Sequence, residues 1–358
     1  MPSQADSNLI EVLKPIWERV LQRSSIDIHD NFFDLGGDPW MAIELFQEIA
    51  RATKRNLTPL FIYAAPTIGE LSAVLESSAP PRFPPLVLLK AGAVGTPVFL
   101  IHGLGGNIME FFQFLKYVQT PSPIYGLQAR GTDGLEEPCS SIEEMAHFHV
   151  DAIKGLPHQG PYVLVGYSLG GLVALEMACR LADSAESIAL LVMIDSYPPF
   201  RCAPITQRLR IYSRRAGHYV SRMLGSPARK AIRQGISPSV QTSDPLQAIA
   251  RHAEVHDSLG IVFTPAMQRV QECAMKALKN YQPCHYHGRL RFVRAATPLH
   301  FPDDPEKVWA KFTDLFEVET VPGDHHEMLT THCEILAAVI SRYLRELPVG
   351  QHTGLSRQ

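Results

Sequence analysis

Three short segments of this 358-residue chain carry side chains that together could perform nucleophilic catalysis. Ser168 lies within Gly-Tyr-Ser-Leu-Gly, Asp195 follows the apolar run Leu-Leu-Val-Met-Ile, and a loop late in the chain contains His325 and His326. A serine hydroxyl becomes a strong nucleophile when a nearby imidazole takes its proton, and a carboxylate can orient that imidazole. The sequence therefore predicts a serine nucleophile, a histidine base and an orienting acid.

Ser168 stands between an apolar segment that predicts a buried strand and a segment of good helix formers that begins at Leu169. A sharp turn from strand to helix needs glycine where backbone segments approach closely, and Gly166 and Gly170 flank the serine. The N–H groups at the start of the helix favour negative charge beside Ser168. The alternative, a tight turn with an incidental serine, is weakened by the order Ser, Asp, His, which the α/β-hydrolase fold uses.

A second apolar segment runs into a glycine-rich loop, His-Gly-Leu-Gly-Gly-Asn, at residues 102–107. Hydrolases of this fold build half of an oxyanion hole there, because glycines let backbone N–H groups approach the substrate oxygen. We assign the hole to the N–H of Leu104 and the N–H of Leu169, the residue after the nucleophile. The alternative is a glycine-rich turn without this role.

Asp195 ends an apolar strand, and open α/β sheets place site residues at the carboxyl ends of their strands. The alternative role for Asp195 is a helix cap or turn residue. His325 and His326 are adjacent, and either imidazole could titrate near neutrality and exchange the serine proton. Spacing alone leaves the choice between them open.

The elements around these residues divide the chain into parts. Residues 1–78 predict a small four-helix bundle, in which Asp38 caps the second helix and Pro39 takes its first position. Residues 79–85 are proline-rich and predict a semi-rigid linker. Alternating strand and helix signals over 86–347 predict a mostly parallel, helix-covered sheet, and 348–358 form a tail.

The first 78 residues resemble the peptidyl and acyl carrier domains of nonribosomal peptide and polyketide synthases. The resemblance rests on DNFFDLGGD, on IWERVL before it and on APTIGELSAVL after it. That family attaches phosphopantetheine to a serine directly after LGGD, and this chain has Pro39 there. Proline has no hydroxyl, so we expect no covalently bound cofactor, which leaves docking, solubility or stability as roles. Trp40 is either a contact residue or packs on the preceding loop.

Residues 86–347 resemble the thioesterase domains that terminate such assembly lines, on the segments GPYVLVGYSLGG, LLVMIDSYPP and VPGDHHEML. The resemblance implies an α/β-hydrolase fold, with a helical lid inserted at about 198–279. It also implies that His325, rather than His326, is the base. In the lid, nine basic residues and no acid lie between Arg201 and Ser243, and they form either a docking surface for an acidic carrier or a solvated helix face.

The resemblance implies thioester cleavage through an acyl-enzyme on Ser168. Because Pro39 cannot hold the arm, the acyl group is expected from the phosphopantetheine of a separate carrier, in trans. Transfer to an amine or alcohol, including macrocyclisation, would use the same triad. The alternative from another functional class is a docking module without catalytic activity.

The composition and the charge exclude several other classes of protein. The chain is 46% hydrophobic with a formal net charge of -3, which is not the signature of a nucleic-acid-binding protein. No apolar run approaches the length of a membrane span, and the polar N-terminus lacks the core of a signal peptide. The six scattered cysteines show no metal-binding spacing, and we interpret them as reduced thiols of a cytoplasmic protein.

Overall fold

A computed structural model describes residues 4–55, 57–77, 82–158, 160–210, 213, 264–298 and 301–347. The tail and most of the predicted lid lie outside these residues. The N-terminal bundle contains four helices: α1 (Gln4–Val20), α2 (Pro39–Thr53), α3 (Phe61–Ala64) and α4 (Ile68–Glu76).

Local hydrogen bonds define the starts of two of these helices. The Asp38 carboxylate accepts hydrogen bonds from the N–H groups of Trp40 and Met41, both at 2.8 Å, and Pro39 occupies the first turn of α2. Thr67 and Glu70 form a reciprocal capping box at α4. These caps satisfy N–H groups that a helix start leaves without partners. The predicted N-cap and proline position are confirmed.

The larger part of the chain is a seven-stranded sheet with helices around it. Its described elements are β1 (Leu86–Lys90), β2 (Val98–Ile101), α5 (Phe112–Tyr117), β3 (Ile124–Leu127), α6 (Ile142–Lys154), β4 (Tyr162–Tyr167), α7 (Leu169–Asp183), β5 (Ile188–Ile194), α8 (Pro265–Asn280), β6 (Tyr286–Ala295), α9 (Pro305–Trp309), β7 (Thr313–Val321) and α10 (Cys333–Arg345).

The strand order is β1-β3-β2-β4-β5-β6-β7. β1 is antiparallel to β3, and every other neighbouring pair is parallel. All six residues of β4 are buried, as expected for a central strand that is covered on both faces. The parallel arrangement brings the carboxyl ends of β2, β4, β5, β6 and β7 to one edge of the sheet.

The helical bundle shares an apolar cluster with the sheet. Ile43 and Leu60 from the bundle are buried together with Phe83 from the linker and Phe112 from the sheet domain. The rings of Phe61 and Phe83 meet edge to face at 5.5 Å. The described end of the predicted linker is therefore part of the interface between the two domains.

Trp40 contributes to this interface. Its ring is half-buried, and the Lys116 Nζ from α5 lies 4.0 Å from the ring centroid. A cation over an indole face is an attractive contact. Trp40 thus contacts the sheet domain of its own chain.

The cysteines require a correction. Cys179 near the end of α7 and Cys284 just before β6 are joined by a disulfide, with their Cα atoms 6.9 Å apart. The prediction of six reduced thiols is wrong for this pair. The fold brings together two residues that lie 105 positions apart, which the scattered spacing did not reveal. Four cysteines are free thiols: Cys139, Cys202, Cys273 and Cys333.

No helix within the described ranges has both the length and the apolar content that crossing a membrane requires.

The turn after β4 gives a test of the fold. A Cβ on Gly166 would lie 2.1 Å from the carbonyl oxygen of Gly170, so Gly166→Ala must displace backbone atoms. We expect a loss of roughly 3 kcal/mol in the free energy of unfolding, measured by urea titration. Gly155→Ala is the control, because Gly155 has right-handed helical angles (φ -68, ψ -16). It should be neutral or slightly stabilising. Equal stability of the two variants would contradict the assigned backbone contact.

Candidate active site

Ser168 lies at the tip of the turn between β4 and α7. Its backbone has φ 56 and ψ -119, a strained conformation for a residue with a side chain. A Cβ on Gly170 would lie 2.2 Å from the carbonyl oxygen of Ile101, so the start of α7 passes directly over the end of β2. The close approach of Gly166 to Gly170 and of Gly170 to Ile101 confirms the prediction that this turn needs glycine.

His325 lies in the loop between β7 and α10. Its Nε2 is 3.0 Å from Ser168 Oγ, and its Nδ1 is 2.7 Å from Asp195 Oδ2. Since an ionised carboxylate only accepts, Nδ1–H donates to Asp195 and Nε2 presents its lone pair to the serine hydroxyl. This tautomer is the one that a general base needs. The structure brings together the three residues that the sequence predicted.

Asp195 follows β5 and is 1% exposed. Its Oδ1 accepts a hydrogen bond of 3.1 Å from the N–H of Ala295, while its Oδ2 binds His325. Its backbone φ is 44, which lies in the left-handed region and directs the side chain off the strand end. Both carboxylate oxygens are thus held, and the orientation of the imidazole is fixed with them.

Aromatic rings hold the imidazole of His325 from the sides. The ring of Tyr167 is stacked against it at 4.8 Å, and the Tyr167 hydroxyl donates to the His325 carbonyl oxygen at 2.9 Å. The ring of Phe301 lies 4.9 Å away. His326 is turned aside: its N–H donates to Asp324, and its ring lies 5.2 Å from that of His325. The structure places His325, not His326, against Ser168.

Leu104 and Leu169, the predicted oxyanion donors, are both buried at 3% exposure. Leu104 lies in the loop after β2, and Leu169 begins α7 directly after Ser168. Within the described part of the chain, neither N–H donates to a loop, turn or cap acceptor. The loop and the helix start meet where Gly170 crosses Ile101, which is compatible with the predicted pair.

Glu110 lies beneath this loop and was missed from sequence. Its carboxylate accepts a hydrogen bond from the N–H of Gly103, the residue before Leu104. Burial raises the pKa of Glu110 to about 8, although the Gly103 N–H, which stabilises the carboxylate, offsets part of this effect. The signal in the sequence was an acid inside the apolar segment Asn-Ile-Met-Glu-Phe-Phe.

A buried histidine pair also supports the loop. His102 Nδ1 lies 2.7 Å from the carbonyl oxygen of Gly103, and its Nε2 lies 3.3 Å from His149 Nε2 on α6. Burial lowers the pKa of His102 to about 4 and lowers that of His149 as well. Both rings are therefore neutral near pH 7, and they pass a hydrogen bond from α6 to the loop. Sequence reasoning missed this pair because its two members lie on separate elements.

The start of α2 is where a carrier domain would hold phosphopantetheine. The resemblance to carrier domains places the attachment serine at the position of Pro39, and both N–H groups that follow Pro39 are bound by the Asp38 carboxylate. The pyrrolidine offers no hydroxyl to which a phosphate could be esterified. The residues present do not fit a covalently attached arm.

The structure describes only the beginning of the basic segment in the predicted lid. Arg201 donates hydrogen bonds to the carbonyl oxygens of Asn280 and Tyr281, at 2.9 and 2.8 Å, and so binds the end of α8. Arg208 lies over the ring of Phe200 at 5.4 Å. Arg210 pairs with an aspartate at 3.6 Å. The other six basic residues lie outside the described residues: Arg214, Arg215, Arg222, Arg229, Lys230 and Arg233.

Comparison with known proteins identifies the class. A model of the thioesterase domain matches residues 96–344, and a model of the phosphopantetheine attachment site matches residues 11–75. The chain belongs to the thioesterase domain family, whose members are of the serine hydrolase type, and a domain of carrier type precedes that domain.

Relatives include large synthases. The dimodular nonribosomal peptide synthase of Bacillus subtilis (strain 168) is 34% identical over 290 residues, which are 80% of this chain and 12% of the synthase. The malpibaldin synthetase of Mortierella alpina is 33% identical over 187 residues, 51% of this chain and 3% of the synthetase. The chain thus spans a small fraction of each of these relatives.

Solved structures confirm the fold. The four-domain nonribosomal peptide synthetase holo-AB3403 superimposes with a TM-score of 0.57 at 20% identity, covering 97% of this chain and 27% of that one. The Vlm2 thioesterase domain gives a TM-score of 0.51 at 19% identity, covering 74% and 99%. The predicted α/β-hydrolase fold, preceded by a small helical bundle, is confirmed.

The titration of Glu110 gives a prediction for stability. Between its ordinary pKa, 4.5, and about 8 the folded chain holds a proton that the unfolded chain releases. The free energy of unfolding should therefore fall as pH rises through this window, by at most about 1.4 kcal/mol per pH unit from this group. Glu110→Gln keeps an acceptor for Gly103 without titrating.

The measurement is urea unfolding of wild type and Glu110→Gln at intervals from pH 5 to 8.5. The difference in unfolding free energy, wild type minus variant, should decrease as pH rises and level off above pH 8. Parallel pH profiles for the two proteins would contradict the raised pKa.

Proposed function

We propose that this protein is a thioesterase that releases or transfers an acyl or peptidyl group from a carrier-bound thioester, presented in trans, during nonribosomal peptide or polyketide biosynthesis. The observation that supports this most strongly is the hydrogen-bonded chain from Ser168 through His325 to Asp195 at the strained turn after β4. Membership of the thioesterase family and relatives that are peptide synthases support the thioester as the substrate class.

The first half of the reaction forms an acyl-enzyme. Ser168 Oγ attacks the thioester carbonyl carbon while His325 Nε2 takes its proton, and Asp195 stabilises the imidazolium that forms. The negative charge on the carbonyl oxygen is bound by the N–H groups of Leu104 and Leu169. When the tetrahedral intermediate collapses, the carbon–sulfur bond breaks and His325 returns its proton to the departing pantetheine thiol.

The second half regenerates the serine. An acceptor molecule loses a proton to His325 and attacks the acyl carbon, and the proton then passes to Ser168 as the ester bond breaks. Water as acceptor gives hydrolysis, whereas an amine or hydroxyl gives an amide, ester or macrocycle. Because the triad performs the same proton transfers in each case, the acceptor is identified by the product.

Pro39 supports delivery in trans. A chain without a hydroxyl after Leu-Gly-Gly-Asp cannot bring its own pantetheine arm to Ser168, so the thioester comes from the arm of a separate carrier or synthase module. The chain then needs no covalent cofactor of its own. The bundle nevertheless contacts α5 through Trp40 and the linker through Phe61, which supports a structural role for it.

Substitutions at Ser168 and Asp195 test the acyl-enzyme. Wild type incubated with acyl-pantetheine thioesters should gain the mass of the acyl group at Ser168, and Ser168→Ala should gain none. Asp195→Asn should lower kcat by about 10³- to 10⁴-fold with little change in KM, because the imidazole loses its oriented tautomer. Mass spectrometry of intact protein and steady-state thiol release are the measurements. An acyl adduct on Ser168→Ala would contradict the assignment.

Loading of the bundle tests delivery in trans. Incubation of wild type with a phosphopantetheinyl transferase and coenzyme A should leave its mass unchanged, because Pro39 has no hydroxyl. Pro39→Ser is the comparison variant. A separate active carrier is the positive control, and it must gain the mass of the arm. A wild-type protein that gains the mass of the arm would overturn the proposal for the bundle while leaving the triad untouched.

A further inference from the structure

Three exposed side chains converge where the start of β6 meets the start of β7. His285 Nε2 lies 2.7 Å from Asp314 Oδ1, and His287 Nδ1 lies 3.0 Å from Asp314 Oδ2. One nitrogen or oxygen atom from each of the three lies within 4.8 Å of the other two. The proposed thioesterase chemistry uses none of these residues.

His285 and His287 lie two positions apart, so the alternation of an extended chain places them on the same side, and a bulge follows beside them. Tyr286 pairs with Thr313 and Arg289 pairs with Leu315, so β6 has one residue more than β7 over this stretch. A β-bulge of this kind changes the direction of the side chains beside it. Gly288 supports it here, because a Cβ at that position would lie 2.5 Å from the Tyr286 side chain.

A neighbouring carbonyl orients His285. Its Nδ1 lies 3.2 Å from the carbonyl oxygen of Lys311, and this oxygen can only accept, so Nδ1–H donates to it. The Nε2 atom is then the one that faces Asp314. Histidines that bind metal ions are commonly oriented in this way, with the second ring nitrogen donating to a backbone carbonyl.

We propose that His285, His287 and Asp314 form a binding site for a divalent transition-metal ion of the zinc type. Two imidazole nitrogens and a carboxylate oxygen are ligands that Zn²⁺ accepts, and water completes its coordination. Ligand atoms around tetrahedral zinc are about 3.3 Å apart. Binding would need the 2.7 and 3.0 Å separations from Asp314 to open slightly and the two imidazole nitrogens, which lie within 4.8 Å of each other, to adjust to that spacing. All three side chains are exposed.

The position of this zinc-type site indicates a structural role. It lies at the start of β6, whereas the N–H of Ala295, at the end of the same strand, binds Asp195 of the triad. Nine residue steps along a strand span about 30 Å, so an ion here is remote from Ser168. It would join β6 to β7 and stabilise the folded state without contacting the reacting atoms.

The test is a titration of chelator-treated full-length protein with Zn²⁺ alone at pH 8. Isothermal titration calorimetry measures the binding. Wild type should bind an ion that His287→Ala and Asp314→Asn bind at least roughly tenfold more weakly. His147→Ala is the matched control, because His147 is also exposed and pairs with a single aspartate, Asp151, at 3.5 Å. It should bind as wild type does.

Thermal unfolding with and without Zn²⁺ gives a second readout. The midpoint should rise for wild type and for His147→Ala, and should rise less for His287→Ala. Identical isotherms for wild type and His287→Ala, or absence of binding to wild type, would overturn the proposal and leave His285, His287 and Asp314 as a surface ion-pair cluster. Either result leaves the thioesterase proposal unchanged.

Discussion

The close passage of backbone over backbone at the start of α7 is the constraint on which the site depends. Gly166 and Gly170 bring β4, α7 and the end of β2 within distances that any Cβ would prevent. This contact leaves Ser168 at the tip with a positive φ, and it sets the first N–H of α7 beside the loop that contains Leu104. The proposed nucleophile and the proposed oxyanion donors would thus acquire their positions from a single turn.

Hydrogen bonds between strand ends extend this constraint to the other residues of the proposed triad. The N–H of Ser168 donates to the Ile194 carbonyl at 2.9 Å, and the N–H of Asp195 donates to the Val293 carbonyl at 2.8 Å. The N–H of Ala295 then donates to the Asp195 side chain. Because these bonds run across β4, β5 and β6 in order, the sheet register determines where the carboxylate lies. His325 is the one member of the triad on a long loop, and Tyr167 holds that loop to β4.

Much of this arrangement could be predicted from sequence, because it depends on local patterns. The glycines around Ser168, the apolar segment before Asp195 and the proline at the start of α2 each have a local physical reason. The side chains that support the glycine-rich loop at residues 102–107 have no such local reason. Glu110 binds the N–H of Gly103 only because the loop folds back over it. The His102–His149 contact joins residues 47 positions apart.

The same distinction explains the cysteines. Cys179 and Cys284 lie in separate parts of the fold, and the order of the strands brings them together. The spacing of cysteines in the sequence does not reveal that order. The choice between His325 and His326 was likewise open on spacing, because both imidazoles lie in one loop. Only the family pattern, and then the distance to Ser168, separates them.

The packing of the helical bundle is consistent with the proposal that this carrier-like domain holds no phosphopantetheine arm. A carrier that delivers its own acyl chain must leave one docking site for another in each cycle. Here Ile43 and Leu60 are buried in a cluster shared with Phe83 and the sheet domain. Full burial of each such side chain is worth about 1.5–3 kcal/mol, so detaching the bundle would expose several contributions of that size. A bundle held in this way suits a domain that does not shuttle. On the proposal that Pro39 removes the attachment chemistry, the apolar interface gives the bundle a structural role that needs no arm.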